Sequence, residues 1–90
     1  MVQLSLHQRG LALNAIGKVT LTLEPKTGNW VATVSGVKIE KGRRALQVAA
    51  GHNAEDALEQ LWKTAEANTL FIESSKRTVK WNGFMWTDPE

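Results

Sequence analysis

The side chains that could support catalysis or hold a metal ion are few, and their spacing suits neither role. The two histidines, His7 and His52, lie far apart in the chain, and there is no cysteine to complete a metal site. Glu55, Asp56 and Glu59 provide carboxylates, but acids in the first turns of a helix usually complement the helix dipole. No glycine-rich phosphate loop or nucleophile motif is present. We therefore predict a protein that is not an enzyme and that holds no metal or cofactor.

Basic side chains are concentrated in two segments and indicate possible contact with phosphates. Residues 18–44 carry six Lys or Arg against Glu24 and Glu40, and a second group follows residue 75. The candidate nucleic-acid-binding residues are Lys38, Lys41, Arg43, Arg44, Lys76, Arg77 and Lys80. A β-ribbon with such side chains can enter a major groove. The net charge is only +2, however, and the alternative is that Lys41, Arg43 and Arg44 form an ordinary solvated turn.

The C-terminal segment combines aromatic residues with a methionine, a composition typical of protein-binding surfaces. Trp81, Met85 and Trp86 are the candidate partner-binding residues here, and Glu55 and Glu59 on the acidic helix join them. The alternative is that the large side chains cover the core, since each buried one contributes roughly 1.5–3 kcal/mol. We expect two or three of four residues to do so, namely Val79, Trp81, Phe84 and Trp86. Met85 and Lys80 would then point outward.

One predicted helix is expected to position these candidate side chains. Residues 54–67 place apolar side chains at helical spacing on one stripe, and Asn53 is a suitable N-cap. The stripe consists of Ala54, Ala57, Leu58, Leu61, Trp62 and Ala65. Its opposite surface is acidic, whereas the predicted strands are basic.

The remaining segments are predicted to be strands. Alternation predicts one at residues 2–6, and 11–24 reads as one strand bent at Gly17 or two strands broken there. A helix over 2–16 is the competing interpretation. The turn at 24–29 joins residues 18–24 to a strand at 30–34. Ser35-Gly36 is expected to end that strand, and further strands follow at 37–39, 46–50 and 70–72.

Asn82-Gly83 predicts a two-residue type I′ turn and hence a hairpin at about 77–87. That loop length sets the register, with Trp81 opposite Phe84, Lys80 opposite Met85, and Val79 opposite Trp86. Val79, Trp81, Phe84 and Trp86 would then share one face of the hairpin.

The predicted fold class is α+β, with an antiparallel β-sheet packed against one α-helix (about 54–67) and a C-terminal β-hairpin (about 77–87). Residues 1–90 are expected to form a single domain. The chain has no apolar run long enough to cross a bilayer and no secretory signal pattern. We expect no membrane partner and a cytoplasmic location, that of the host cell if the protein is phage-encoded.

Residues 28–67 resemble small modules built from three strands and a helix. Gly28, Trp30, Lys38 and Arg43-Arg44, followed by the helix start at 54–57, are similar to the arm-type DNA-binding domains of phage integrases, whose sheet enters the major groove. The order of elements also resembles double-stranded RNA-binding domains, which rely on lysines where this chain has acids. Residues 55–58 resemble the helix of HicB-like antitoxins, whose proline-containing strand is absent here. The resemblance implies a sheet-plus-helix fold and, in the first case, DNA binding.

Two functions follow from these observations. The first is a small non-catalytic protein-binding domain, such as a viral inhibitor or adaptor of a phage or mobile element, which occludes the surface of a host protein. The alternative is a nucleic-acid-binding module that uses the basic strands around Lys38–Arg44. A homodimer is compatible with either function.

Overall fold

The computed structural model describes residues 5–49 and 53–89. Within these ranges the fold is α+β, as predicted, with two helices and a six-stranded antiparallel sheet. The elements are α1 (Leu6–Asn14), β1 (Lys18–Leu23), β2 (Trp30–Ile39), β3 (Arg44–Ala49), α2 (Ala54–Ala67), β4 (Leu70–Ile72), β5 (Arg77–Trp81) and β6 (Trp86–Thr87). A 3₁₀ turn, Lys41–Arg43, joins β2 to β3.

The predicted helix is present with its bounds at Ala54–Ala67. The side chain of Asn53 caps it by accepting a hydrogen bond from the Asp56 backbone N–H at 2.9 Å. Its stripe packs on one face of the sheet, with Ala57, Leu61 and others buried. The core formed there consists of Leu13, Ile16, Ala32, Val34, Val37, Leu46, Ala57, Leu61, Trp62, Ala65, Leu70 and Val79.

The N-terminal segment is helical, so the strand predicted at 2–6 is wrong where the structure describes it, and the strand predicted at 11–24 is wrong over residues 11–17. Val2 and Leu4 lie outside the described residues, but Leu6 begins α1. Ser5 and Gln8 form a capping box, in which each side chain accepts from the other residue's backbone N–H (3.2 and 3.0 Å). Leu13 is fully buried in the core, where it packs with residues far away in the sequence. This packing favours the helix over the strand. The competing interpretation, a helix over 2–16, is therefore the better one.

Strand β2 is the centre of the sheet because it pairs along both of its edges. β3 lies along one edge, pairing with Val31–Thr33 and again with Lys38–Ile39. β1 and β4 lie one after the other along the opposite edge of β2, each paired with a different part of it. The break predicted at Ser35-Gly36 is instead an irregularity within a continuous strand, and Gly36 adopts a positive φ of 79° there. The predicted hairpin between residues 18–24 and the strand that starts at residue 30 is confirmed.

The C-terminal hairpin is present, but its predicted register is wrong. Trp81 pairs with Trp86 and Lys80 with Thr87, which leaves a four-residue loop, 82–85. The Asn82 side chain explains the longer loop, because its Oδ1 accepts from the backbone N–H groups of Phe84 (2.8 Å) and Met85 (2.9 Å). Gly83 supplies the positive φ, 106°, that the loop requires. The type I′ turn is therefore replaced by a turn built on the Asn82 side chain.

Candidate functional site

The loop of the C-terminal hairpin, residues 82–85, forms an exposed apolar surface that we call the hairpin tip. Phe84 is 82% exposed and Met85 is 58% exposed. The sequence predicted Met85 to point outward, but it placed Phe84 on the inner face, and this followed from the wrong register. Phe84 is thus a candidate site residue that the sequence analysis missed. The Asn82 side chain, which can accept hydrogen bonds across a turn, was the signal that could have indicated the longer loop.

The hairpin tip stands on a cluster of three tryptophans. The rings of Trp62 and Trp81 lie 4.9 Å apart between centroids at 80°, and those of Trp81 and Trp86 lie 5.0 Å apart at 66°. Trp62 and Trp86 complete the cluster at 6.0 Å. These edge-to-face arrangements are the favourable ones for aromatic rings. Trp81 and Trp86 are half-buried here, so much of their surface stabilises the domain itself.

A hydrogen bond connects this cluster to the first helix. The indole Nε1–H of Trp86 donates to the Ala12 backbone carbonyl at 2.8 Å, a contact between residues far apart in sequence. The tryptophans therefore join the hairpin, α1 and α2 into one packed unit. We expected two or three of Val79, Trp81, Phe84 and Trp86 to pack toward the core. Three of them do, and the exception is Phe84.

The acidic candidates on α2 are separate from the hairpin tip. Glu55 is exposed in the first turn, and Glu59 is half-buried and lies 3.6 Å from the Lys63 ammonium. Glu55 precedes Trp62 by about two turns, roughly 10 Å along the helix axis. None of the described hydrogen bonds or ion pairs links either glutamate to residues 82–85.

The basic candidates divide into groups, and one of them lies on the sheet face opposite α2. Lys38, Phe71 and Thr78 are cross-strand neighbours on that face, and Lys80 follows Thr78 on the same side. The Arg43 guanidinium stacks over the Phe71 ring, 4.1 Å from its centroid. We call these residues the open sheet face: Lys38, Arg43, Phe71, Thr78 and Lys80.

Carboxylates neutralise part of this basic charge. Lys38 lies 3.8 Å from Glu73, and Arg43 lies 3.3 Å from Glu40. Arg77 is bound to Asp88 at 2.9 Å. The other basic candidates, Lys41, Arg44 and Lys76, are exposed in or beside turns. Of the seven residues, the strand pairing and the Arg43–Phe71 stacking place three on the open sheet face: Lys38, Arg43 and Lys80.

The described residues offer no cluster of metal ligands. No three His, Cys, Asp or Glu side chains in 5–49 and 53–89 lie close enough to hold a metal ion. His7 is exposed, and His52 and Ala50 lie outside those ranges. In the same part of the chain neither helix has the length and apolar character needed to span a membrane.

Comparison with known proteins found no match for this chain among family models, curated proteins or solved structures. The resemblance to integrase arm-type domains, double-stranded RNA-binding domains and HicB-like antitoxins stays a prediction.

Proposed function

We propose that this protein is a non-catalytic protein-binding domain that inserts Phe84 and Met85 into an apolar pocket of a partner. The observation that carries the proposal is the 82% exposure of Phe84 on a loop that the Asn82 side chain holds in shape. Burying the two side chains in a complex would contribute roughly 1.5–3 kcal/mol each. A loop that is already ordered loses little conformational entropy on binding, so more of that energy appears as affinity.

The mode of action that fits this arrangement is occlusion of the partner's surface. A projecting apolar tip on a small rigid domain blocks a pocket without chemistry of its own, which is how an inhibitor or adaptor works. The absence of cysteine from the chain fits a reducing compartment such as the cytoplasm.

The experiment compares proteins captured from a lysate by the wild type and by a Phe84→Ala/Met85→Ala variant. Leu11→Ala is the control, because Leu11 is an apolar residue on α1 that is as exposed (57%) as Met85 (58%). We expect a partner that the wild type and the control retain and the double variant loses. With that partner purified, calorimetry should show a Kd increase of about 10- to 150-fold for Phe84→Ala alone. Equal capture by all three proteins would contradict the proposal.

A second candidate function, nucleic-acid binding, is favoured by one specific observation. Arg43 stacked on Phe71, with Lys38 and Lys80 on the same face, combines an aromatic ring with cations, as single-strand and duplex binders do. The test is binding to a generic DNA duplex at low salt, with Arg43→Ala/Arg44→Ala as the variant and Lys63→Ala, an exposed lysine on α2, as the control. We expect affinity to fall steeply with salt, and to be lost in the double variant, if this function is correct. No binding at low salt rejects it.

A further inference from the structure

Strand β1 has an unpaired edge. Among the described residues it pairs only with β2, and it lies at the end of the strand order. Glu24 N–H donates to the Asn29 carbonyl at 2.8 Å, so Glu24 and Asn29 are a hydrogen-bonded pair that faces β2. Antiparallel pairs alternate, and the N–H and C=O groups of residues 19, 21 and 23 therefore point away from β2. Their backbone groups form a template for another strand.

The Val19 backbone supports this assignment. Its N–H donates to the Asn14 side-chain oxygen at 3.1 Å, outside the sheet. None of the described backbone contacts between elements involves the N–H or C=O of Leu21 or Leu23. Asn14 is exposed, so its side chain can rotate away when a stronger acceptor approaches.

The side chains beside this edge are apolar and incompletely covered. Leu21 is 37% exposed and Leu23 is 48% exposed, although both lie on the side of the sheet that α2 covers, opposite Ala32 and Trp30. Residues 19–23 contain no charge, no proline and no bulge. Monomeric proteins usually protect an edge strand with one of these features. An edge without them is suited to pairing.

We propose that β1 pairs antiparallel with β1 of a second copy of this chain, giving a two-fold symmetric dimer with one continuous sheet. The symmetry axis passes beside Leu21. The pairs across the interface are Leu21 with Leu21, Val19 with Leu23, Thr20 with Thr22, and Lys18 with Glu24. Apolar residues meet apolar residues on one face, threonines meet on the other, and each end carries an opposite-charge pair.

The hydrogen bonds of this interface follow from the outward-pointing groups. The two copies of Leu21 exchange N–H···O=C bonds. Leu23 N–H donates to the Val19 carbonyl of the second copy, and Val19 N–H exchanges the Asn14 oxygen for the Leu23 carbonyl. No outward N–H of residues 19–23 is left without an acceptor.

Neighbouring registers are less favourable. A two-fold axis keeps each face of the sheet on its own side, so the register can move only in steps that keep odd-numbered residues opposite odd-numbered residues. One such step places Leu23 opposite Gly17 and leaves Lys18 without an acid. The opposite step brings Lys18 against Lys26 and Val19 against Pro25, which is a repulsion and an interruption. The charge pattern therefore selects the register centred on Leu21.

Two further edges among the described residues offer less to a second copy: that of β6, which is only two residues long, and that of β3. Its exposed residues within 44–49 are Arg44, Ala45, Gln47 and Ala49, which contribute little apolar surface. Its large apolar residue, Leu46, is fully buried under α2.

The test is sedimentation equilibrium over a concentration range that extends to about 1 mM, where even an interaction of about −4 kcal/mol populates the complex. We expect a species of twice the 10.0 kDa chain mass. Lys18→Glu and Glu24→Lys each convert two attractions into repulsions, so each should weaken dimerisation about 5- to 30-fold at low salt. The double variant Lys18→Glu/Glu24→Lys should restore it.

This rescue is specific to the proposed register. Within one chain Lys18 and Glu24 are six residues apart on an extended strand, about 20 Å, so they cannot pair with each other. A monomer at every concentration overturns the proposal, and so does a dimer that neither charge change weakens. A dimer lost in Phe84→Ala/Met85→Ala instead would place the interface at the hairpin tip and also overturn it.

Discussion

Trp86 offers the most direct test of how the C-terminal hairpin stabilises the domain. In Trp86→Phe the ring remains aromatic, but the indole N–H that donates to the Ala12 carbonyl is removed. The lost hydrogen bond costs about 0.5–1.5 kcal/mol. The smaller ring gives up part of its contact with Trp62 and Trp81, roughly a further 1 kcal/mol. We therefore expect the free energy of unfolding to fall by about 1.5–2.5 kcal/mol.

For a domain of this size each kcal/mol lowers Tm by roughly 4–8 °C, so the variant should melt about 6–20 °C below the wild type. Urea unfolding followed by far-UV circular dichroism measures the free energy. Amide hydrogen exchange locates the change, because loss of the Ala12 contact should lower protection in α1 more than in the central strand β2.

The control is Trp30→Phe. Trp30 is also half-buried against the core, but its indole makes no hydrogen bond among the described residues. It should lose only the contact energy and leave α1 exchange unchanged. If the two variants are equally stable and α1 is equally protected in both, the hydrogen bond does not connect the hairpin to α1.

Three further predictions concern the fold. Leu13→Ala should lower the free energy of unfolding by about 2–5 kcal/mol, because it empties a fully buried position; a loss under about 1 kcal/mol in urea unfolding would mean that α1 is not part of the core. Gly17→Ala should cost about 1–3 kcal/mol, since the added Cβ would lie 2.6 Å from the Ser35 carbonyl oxygen; an unchanged Tm would contradict that close approach. Replacing Asn82 and Gly83 by alanine should cost about 1–3 kcal/mol, because the turn loses its side-chain acceptor and its positive-φ glycine; a variant that melts like the wild type would show that the hairpin tip is not held in shape.

The candidate surfaces were only partly evident in the sequence. Met85 and the basic residues could be chosen by type, since charge and apolar character are properties of single side chains. The exposure of Phe84 could not be predicted from its residue type, because it depends on the length of the hairpin loop. That length depends on whether the side chain or the backbone of Asn82 makes the hydrogen bonds of the turn. The apolar edge of β1 was equally hidden, since alternation does not indicate how far a helix extends over a sheet.

The sequence by itself determined the elements whose signals are local. The α2 period with its Asn53 cap and the turn at 24–29 required no distant partner to be predicted. Tertiary structure decided the elements whose local signals conflict. Residues 2–6 and 11–16 alternate like strands, yet Ser5 and Gln8 form a capping box, and the burial of Leu13 together with the Trp86–Ala12 hydrogen bond selects the helix. The burial of the hairpin tryptophans was decided in the same way, because Trp81 and Trp86 pack against Trp62 on α2, a contact that no pattern within residues 77–87 can show.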